Sequence, residues 1–248
     1  EESYWNTDFL NPDTDGDGYL DGEEVASGHD PIEPGPDDLL IKKMNLTEAS
    51  AELVVAGLSE GFLKLDSDNF EESLAVISNL VMDGADSALN KDVSHLNLNL
   101  VDSSKENQDK YLNDIYEIIK EFLTTYGDEL QELDKKLDLI GSSGFVSDEV
   151  KGYFSKESEL FGNILKKATL TSVPKNWKEL HLNLSGEIKT ALEANQGIAL
   201  GEDDPIKAII ALDNLFGVLD LVPKWTQSYI DKNRSEGIYN QLIESMSK

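Results

Sequence analysis

The chain has 248 residues, no cysteine and a formal net charge of −28, from 49 acidic residues against 21 basic ones, with Arg234 the single arginine. A surface this negative cannot embrace a phosphate backbone, so nucleic acid is excluded as a partner, and anionic lipid headgroups repel it too. Disulfides and thiol chemistry are absent, and no apolar run approaches the roughly 20 residues that span a bilayer or resembles a signal peptide.

The first predicted element is a loop, Asp13-Thr-Asp-Gly-Asp-Gly-Tyr-Leu-Asp-Gly-Glu-Glu24. Oxygen-bearing side chains stand at positions 1, 3, 5, 9 and 12 of twelve residues, with glycine at position 6. Calcium takes about six to eight oxygens, and a short loop supplies them only when carboxylates alternate along a tightly turning backbone. The predicted metal ligands are Asp13, Asp15 and Asp17, the Tyr19 carbonyl, Asp21 directly or through water, and Glu24 as a bidentate end ligand, with Gly18 at the sharp turn. An ordinary EF-hand is excluded. Pro12 lacks a backbone donor and restricts the residue before it, so no helix can run into the loop. A helix starting near Gly22 meets Gly28 and Asp30-Pro31 within two turns, and Pro34-Gly-Pro36 follows.

The segment also repeats. Glu1-Glu2, Asp8 and Pro12 recur 22 residues later as Glu23-Glu24, Asp30 and Pro34. Glu2 thereby corresponds to the last ligand of a preceding loop, and the chain is expected to begin inside a module, with at least one further loop before it.

The motif Asn11-Pro-Asp-Thr-Asp-Gly-Asp-Gly-Tyr-Leu-Asp-Gly-Glu-Glu24 with Gly28-His-Asp-Pro31 resembles the thrombospondin type-3 calcium repeats in their cysteine-free bacterial form. The resemblance covers residues 1–36. It implies a calcium-stiffened spacer in an exported, surface-attached bacterial protein, anchored through a segment before residue 1. Location outside the cytosol also fits the metal, because extracellular modules work at about 10⁻⁴–10⁻³ M calcium, far above the cytosolic level.

Beyond Pro36 apolar residues recur at helical spacing, and residues 37–248, which resemble no family, are predicted to form an all-α domain of about six or seven helices. The first helix follows Asn45, a cap with Glu48 three residues on, and is expected to bury Leu53, Val54, Leu58 and Phe62. A second, from about Asn69, carries Phe70, Leu74, Ile77, Leu80, Val81 and Ala88. Residues 95–101 alternate with period two, predicting an extended stretch that would have no strand partner. From Ser104 to Ile140 the pattern is helical, and Ile119, Leu123, Tyr126, Leu130, Leu133, Leu137 and Ile140 form a seam about 30 Å long. Its partner is expected within the bundle, or else in a second protein.

Gly141-Ser-Ser-Gly144 closes that helix, and the next buries Val150, Tyr153, Phe154, Phe161, Ile164 and Leu165. Pro174 is expected to start a helix with one apolar stripe of Trp177, Leu180, Leu184, Ile188, Ala191 and Leu192. Asp203-Asp204-Pro205 starts another, carrying Ile206, Ile209, Ile210, Leu215, Phe216 and Leu219, which Pro223 ends or kinks. A last amphipathic segment runs through Trp225, Tyr229, Ile238, Leu242 and Ile243.

Chemistry is sparse in this domain. His29, His95 and His181 stand far apart, none with a second histidine at metal-ligand spacing, and no phosphate loop, nucleophile elbow or zinc signature is present. No catalytic residue is therefore expected. The reading is a non-enzymatic exported or cell-surface protein whose calcium stalk presents a helical interaction domain to a protein partner. The alternative is an envelope enzyme or a small-ligand or glycan receptor, its pocket lined by Trp177, Phe154, Phe161, Phe216 and Trp225.

Overall fold

The computed structural model describes residues 7, 10–22, 31, 32, 34, 45–59, 61, 63, 64, 69–76, 78, 79, 93 and 96–237, the side chains of 219–223 excepted. The chain divides into two compact units, Glu1–Asn90 and Lys91–Lys248. The boundary expected near residue 36 falls inside the first of these.

In the first unit, helix α1 spans Leu46–Ser59 and is capped as its sequence requires, with the Glu48 N–H donating to Asn45 Oδ1 at 3.0 Å. Of the expected inward face, Val54 is half-buried and Phe62 lies outside the described residues. Leu46 and Gly57 are buried, whereas Leu53 and Leu58 are exposed. Residues 70–76 are helical, with Leu74 exposed rather than buried and Phe70 half-buried. Apolar periodicity sets which residues share a face, but not whether a neighbour covers that face. The remaining members of that predicted stripe, from Ile77 to Ala88, lie outside the described residues.

The second unit is built from four long helices: α2 (Lys105–Ser143), α3 (Asp148–Leu170), α4 (Lys178–Ala199) and α5 (Pro205–Ser235). Ser104 caps α2, its Oγ accepting from the Asn107 N–H. The helix closes within Gly141-Ser-Ser-Gly144, as expected. It ends at Gly144, where φ of 68° lets the backbone turn left-handed and the Gly144 N–H caps the Ile140 carbonyl. The predicted seam divides by position. Ile119, Tyr126 and Leu133 are buried, while Leu123, Leu130, Leu137 and Ile140 pack half-buried against the same core. The N-terminal half of α2 carries the densest burial, through Tyr111, Leu112, Ile115, Ile118 and Phe122.

The extended stretch does find a partner. Strand β1 (Asn99–Val101) pairs in parallel with β2 (Ser172–Pro174), in the register Asn99–Ser172, Leu100–Val173 and Val101–Pro174. Sequence periodicity hid β2 because it is three residues long and ends in the proline expected to open a helix. A 3₁₀ turn at Lys175–Trp177 intervenes, and α4 begins only at Lys178.

Helix α4 departs most from expectation. It buries not one stripe but also His181, Ser185, Lys189, Thr190 and Asn195, as befits a helix packed between α3 and α5. Several of these polar groups donate within their own helix: Ser185 to the His181 carbonyl, Thr190 to Gly186 and Asn195 to Ala191, each at 2.9 Å. Glycine permits the close approach to α5. A Cβ on Gly197 would stand 2.8 Å from the Ala211 Cβ.

Helix α5 starts as predicted, with Asp204 accepting from the Lys207 N–H at 3.2 Å and Pro205 in its first turn. Of the two expected effects of Pro223, ending or kinking the helix, the first does not occur: the helix runs on to Ser235. Beyond the proline, Trp225 and Tyr229 are buried in the core, and that burial outweighs the cost of about 3 kcal/mol for an interior proline. Ile210 and Leu215 are buried as expected, together with Ala208, Ala211 and Val218, whereas Ile209 and Phe216 are exposed. Ile238, Leu242 and Ile243 lie outside the described residues.

A directed hydrogen-bond chain crosses the core. His181 Nε2 lies 3.1 Å from the Ala168 carbonyl, so it carries the proton, and Nδ1 accepts from the Tyr111 hydroxyl at 3.3 Å. Tyr111 in turn accepts from the Tyr229 hydroxyl at 2.5 Å. Burial lowers the His181 pKa to about 4. Because the folded value lies below the ordinary one of about 6.5, this contribution is complete above pH 6.5 and is lost as pH falls toward 4, by roughly 3 kcal/mol. Urea unfolding across that interval is expected to show this slope and to lose it in His181→Gln, which keeps a donor and an acceptor but does not titrate.

Candidate metal centre

The aspartate loop is shaped by its own carboxylates. Asp13 accepts from two backbone donors, Gly16 N–H through Oδ1 at 2.9 Å and Gly18 N–H through Oδ2 at 3.1 Å, so the chain curls around it. That curl needs left-handed backbone at Gly16 and Gly18, with φ of 81° and 103°, which other L-residues rarely adopt. Asp15 Oδ1 accepts from the Asp17 N–H at 3.1 Å, and Asp17 Oδ1 from the Tyr19 N–H at 3.0 Å. Both are Asx-turns that point alternate carboxylates to one side.

The result is convergence. One carboxylate oxygen from each of Asp13, Asp15 and Asp17 lies within 4.8 Å of the others. Asp15 Oδ2 is shielded from solvent with no hydrogen-bond partner. Partial burial, reinforced by the charges of Asp17 and Asp13, raises the Asp15 pKa. Three carboxylates gathered against their own repulsion, with a shielded oxygen of Asp15 left without a donor, fit a hard divalent cation, which would neutralise them.

Asp21 is employed differently from the other aspartates. Its Oδ1 accepts from the Thr14 N–H at 2.7 Å and its Oδ2 from the Thr14 hydroxyl at 2.8 Å, while its own N–H donates to the Pro12 carbonyl at 2.9 Å. It clasps the end of the loop to its beginning. Sequence reasoning missed Thr14; the signal was a hydroxyl beside the first aspartate, able to present two donors to one carboxylate. The Tyr19 ring is exposed, and Glu24 lies outside the described residues. Among the described residues ahead of the loop, 7 and 10–12, none is helical, in line with Pro12, and Asp21 and Gly22 are helical.

The helical unit offers no comparable cluster among the described residues. Trp177, Phe154 and Phe161 are core residues, Trp225 is 7% exposed, and Phe216 faces solvent, so the five aromatics do not assemble one pocket. Trp225 borders a shallow cleft of about 190 Å³ with Leu180, Asn183 and Lys224. His181 is structural, as derived above; His29 and His95 lie outside the described residues. No described helix is long and apolar enough to cross a membrane.

Residues 13–34 match the bacterial TSP3 repeat family. No curated protein and no solved structure matches the chain.

Proposed function

We infer that the chain is an exported, surface-associated protein in which Asp13, Asp15 and Asp17, with the Tyr19 carbonyl and Glu24, bind calcium and stiffen a spacer bearing a non-catalytic helical unit for a protein partner. The observation that carries this reading is the convergence of oxygens from Asp13, Asp15 and Asp17 within a segment that matches the TSP3 repeat, with Asp15 Oδ2 left without a donor. Bound calcium would supply charge neutralisation and cross-linking of the loop rather than catalysis. In this reading Asp21 acts from behind, holding the loop closed through Thr14. Extracellular calcium suffices to fill such a site, and the long helices of the second unit give the spacer a rigid cargo.

Calorimetric calcium titration tests the proposal. Binding at about 10⁻³ M or tighter is expected for the wild-type chain. It should be lost in Asp17→Ala, with the far-ultraviolet helical signal unchanged. A collapse of helicity on adding chelator would overturn the spacer reading, because it would make calcium part of the helical core.

A further inference from the structure

Trp225 of α5 is 7% exposed, and its indole Nε1–H is shielded from solvent with no hydrogen-bond acceptor among the described residues. A buried indole N–H ordinarily finds a partner, because taking it out of water without one costs free energy. Trp177 shows the usual state, its Nε1–H donating to Gln108 Oε1 at 2.9 Å. The Trp225 ring is held against Tyr229, with centroids 4.8 Å apart. It also lines the cleft of about 190 Å³ between α4 and α5. Leu180, Asn183 and Glu187, spaced to share one face of α4, form one wall, and Lys224 and Ser228, one turn apart on α5, flank the indole on the other.

The lining selects the chemistry of an occupant. Lys224 and Glu187 contribute one charge of each sign, so neither an anion nor a cation is favoured, and the exposed lysine is screened by water. Asn183 offers both amide donors and a carbonyl acceptor. Ser228 Oγ gives its proton to the Lys224 carbonyl at 3.0 Å and is left as an acceptor. Leu180 and the indole supply apolar surface. A neutral molecule that donates and accepts along its edge while presenting C–H groups on its face meets all of these, which is the chemistry of a sugar ring. Size limits it to one ring, since the cleft is smaller than the roughly 300 Å³ at which sites for drug-sized ligands begin.

We propose that the α4–α5 cleft is a binding site for a single neutral sugar residue, one of whose oxygens accepts from Trp225 Nε1–H while Asn183 and Glu187 hold neighbouring hydroxyls. Because the indole nitrogen is shielded as the cleft stands, entry requires the exposed side chains of Lys224 and Ser228 to move aside. The site does not depend on the calcium reading, since all its residues belong to the helical unit.

Indole N–H signals in nitrogen–proton correlation spectra of the full chain test the site. Glucose, galactose and N-acetylglucosamine are titrated to about 50 mM, above the millimolar Kd that so small a site supports. With at least one of these sugars the Trp225 signal, identified by its loss in Trp225→Phe, is expected to move downfield and saturate, while those of Trp5 and Trp177 stay. Asn183→Ala, at an exposed position, should keep the fold and weaken binding about fivefold or more. No movement with any sugar would overturn the proposal, and so would undiminished binding by Asn183→Ala, which would place the sugar elsewhere. A larger movement with glycine than with any sugar would also overturn it, in favour of a zwitterion paired with Lys224 and Glu187. If Trp225→Phe fails to fold, the movement of one indole signal out of three, weakened in Asn183→Ala, decides instead.

Discussion

Replacing Trp177 with alanine is expected to lower the stability of the helical unit by about 3–5 kcal/mol, the largest single-residue effect in the protein. The indole is fully buried, with its ring 5.7 Å from Tyr111 and 5.4 Å from Tyr229, and so joins α2, α4 and α5 at one point. Its Nε1–H donates to Gln108 Oε1 at 2.9 Å, and Gln108 Nε2 donates to the Ser103 carbonyl at 2.9 Å, which ties the core to the chain entering α2. Alanine removes the ring, leaves a cavity and withdraws a donor from a buried acceptor. Gln108 keeps a second donor in Asn176 Nδ2 at 3.1 Å, so the hydrogen-bond share is the smaller one. Trp177→Phe separates the two contributions, with a loss of about 1–2 kcal/mol expected on urea unfolding followed by circular dichroism. Calcium titration of Trp177→Ala should be unchanged, because the aspartate loop belongs to the other compact unit. A parallel loss of calcium binding would contradict the independence of the two.

The sequence carried the helical unit well where periodicity and caps agree. Ser104, Asp204 with Pro205, and the inward face of α3 through Val150, Phe154, Phe161 and Ile164 all stand where local rules place them. Local rules failed where distant packing decides. Pro223 sits inside a continuous helix because Trp225 and Tyr229 beyond it have a core to enter. Strand β2 is too short to show periodicity and exists only because β1 lies beside it. Helix α4 reads as a one-sided amphipathic helix, since a sequence does not reveal that serine, threonine and asparagine will turn back onto their own helical carbonyls and let a polar face be buried. Glu129 was equally invisible, one acid among 49 that only the packing of the helical unit removes from water. The aspartate loop was the most legible part, because its carboxylates, glycines and turn chemistry are all local. What escaped was the division of labour among its aspartates, which depends on Thr14 reaching Asp21.

That division of labour makes Asp13 the most consequential residue of the loop, and Asp13→Ala is expected to abolish calcium binding outright. Each aspartate of the cluster could offer an oxygen to an ion, and Asp13 also holds two backbone donors, the N–H groups of Gly16 and Gly18. Alanine at that position takes away a ligand and frees the turn that aims Asp15 and Asp17. Asp13→Asn tests whether the frame or the charge dominates. Its amide oxygen can still accept one of the two N–H groups and can still coordinate, whereas its Nδ2 must face the other as donor against donor. Binding weakened by about 10- to 100-fold, yet measurable, is expected for the asparagine variant. Asp21→Asn should weaken binding less again, since it disturbs only the clasp to Thr14. Calorimetry on the three variants therefore has a predicted order, Asp13→Ala worst, then Asp13→Asn, then Asp21→Asn. An Asp21→Asn loss equal to that of Asp13→Ala would show that Asp21 leaves Thr14 to enter the coordination sphere when calcium binds.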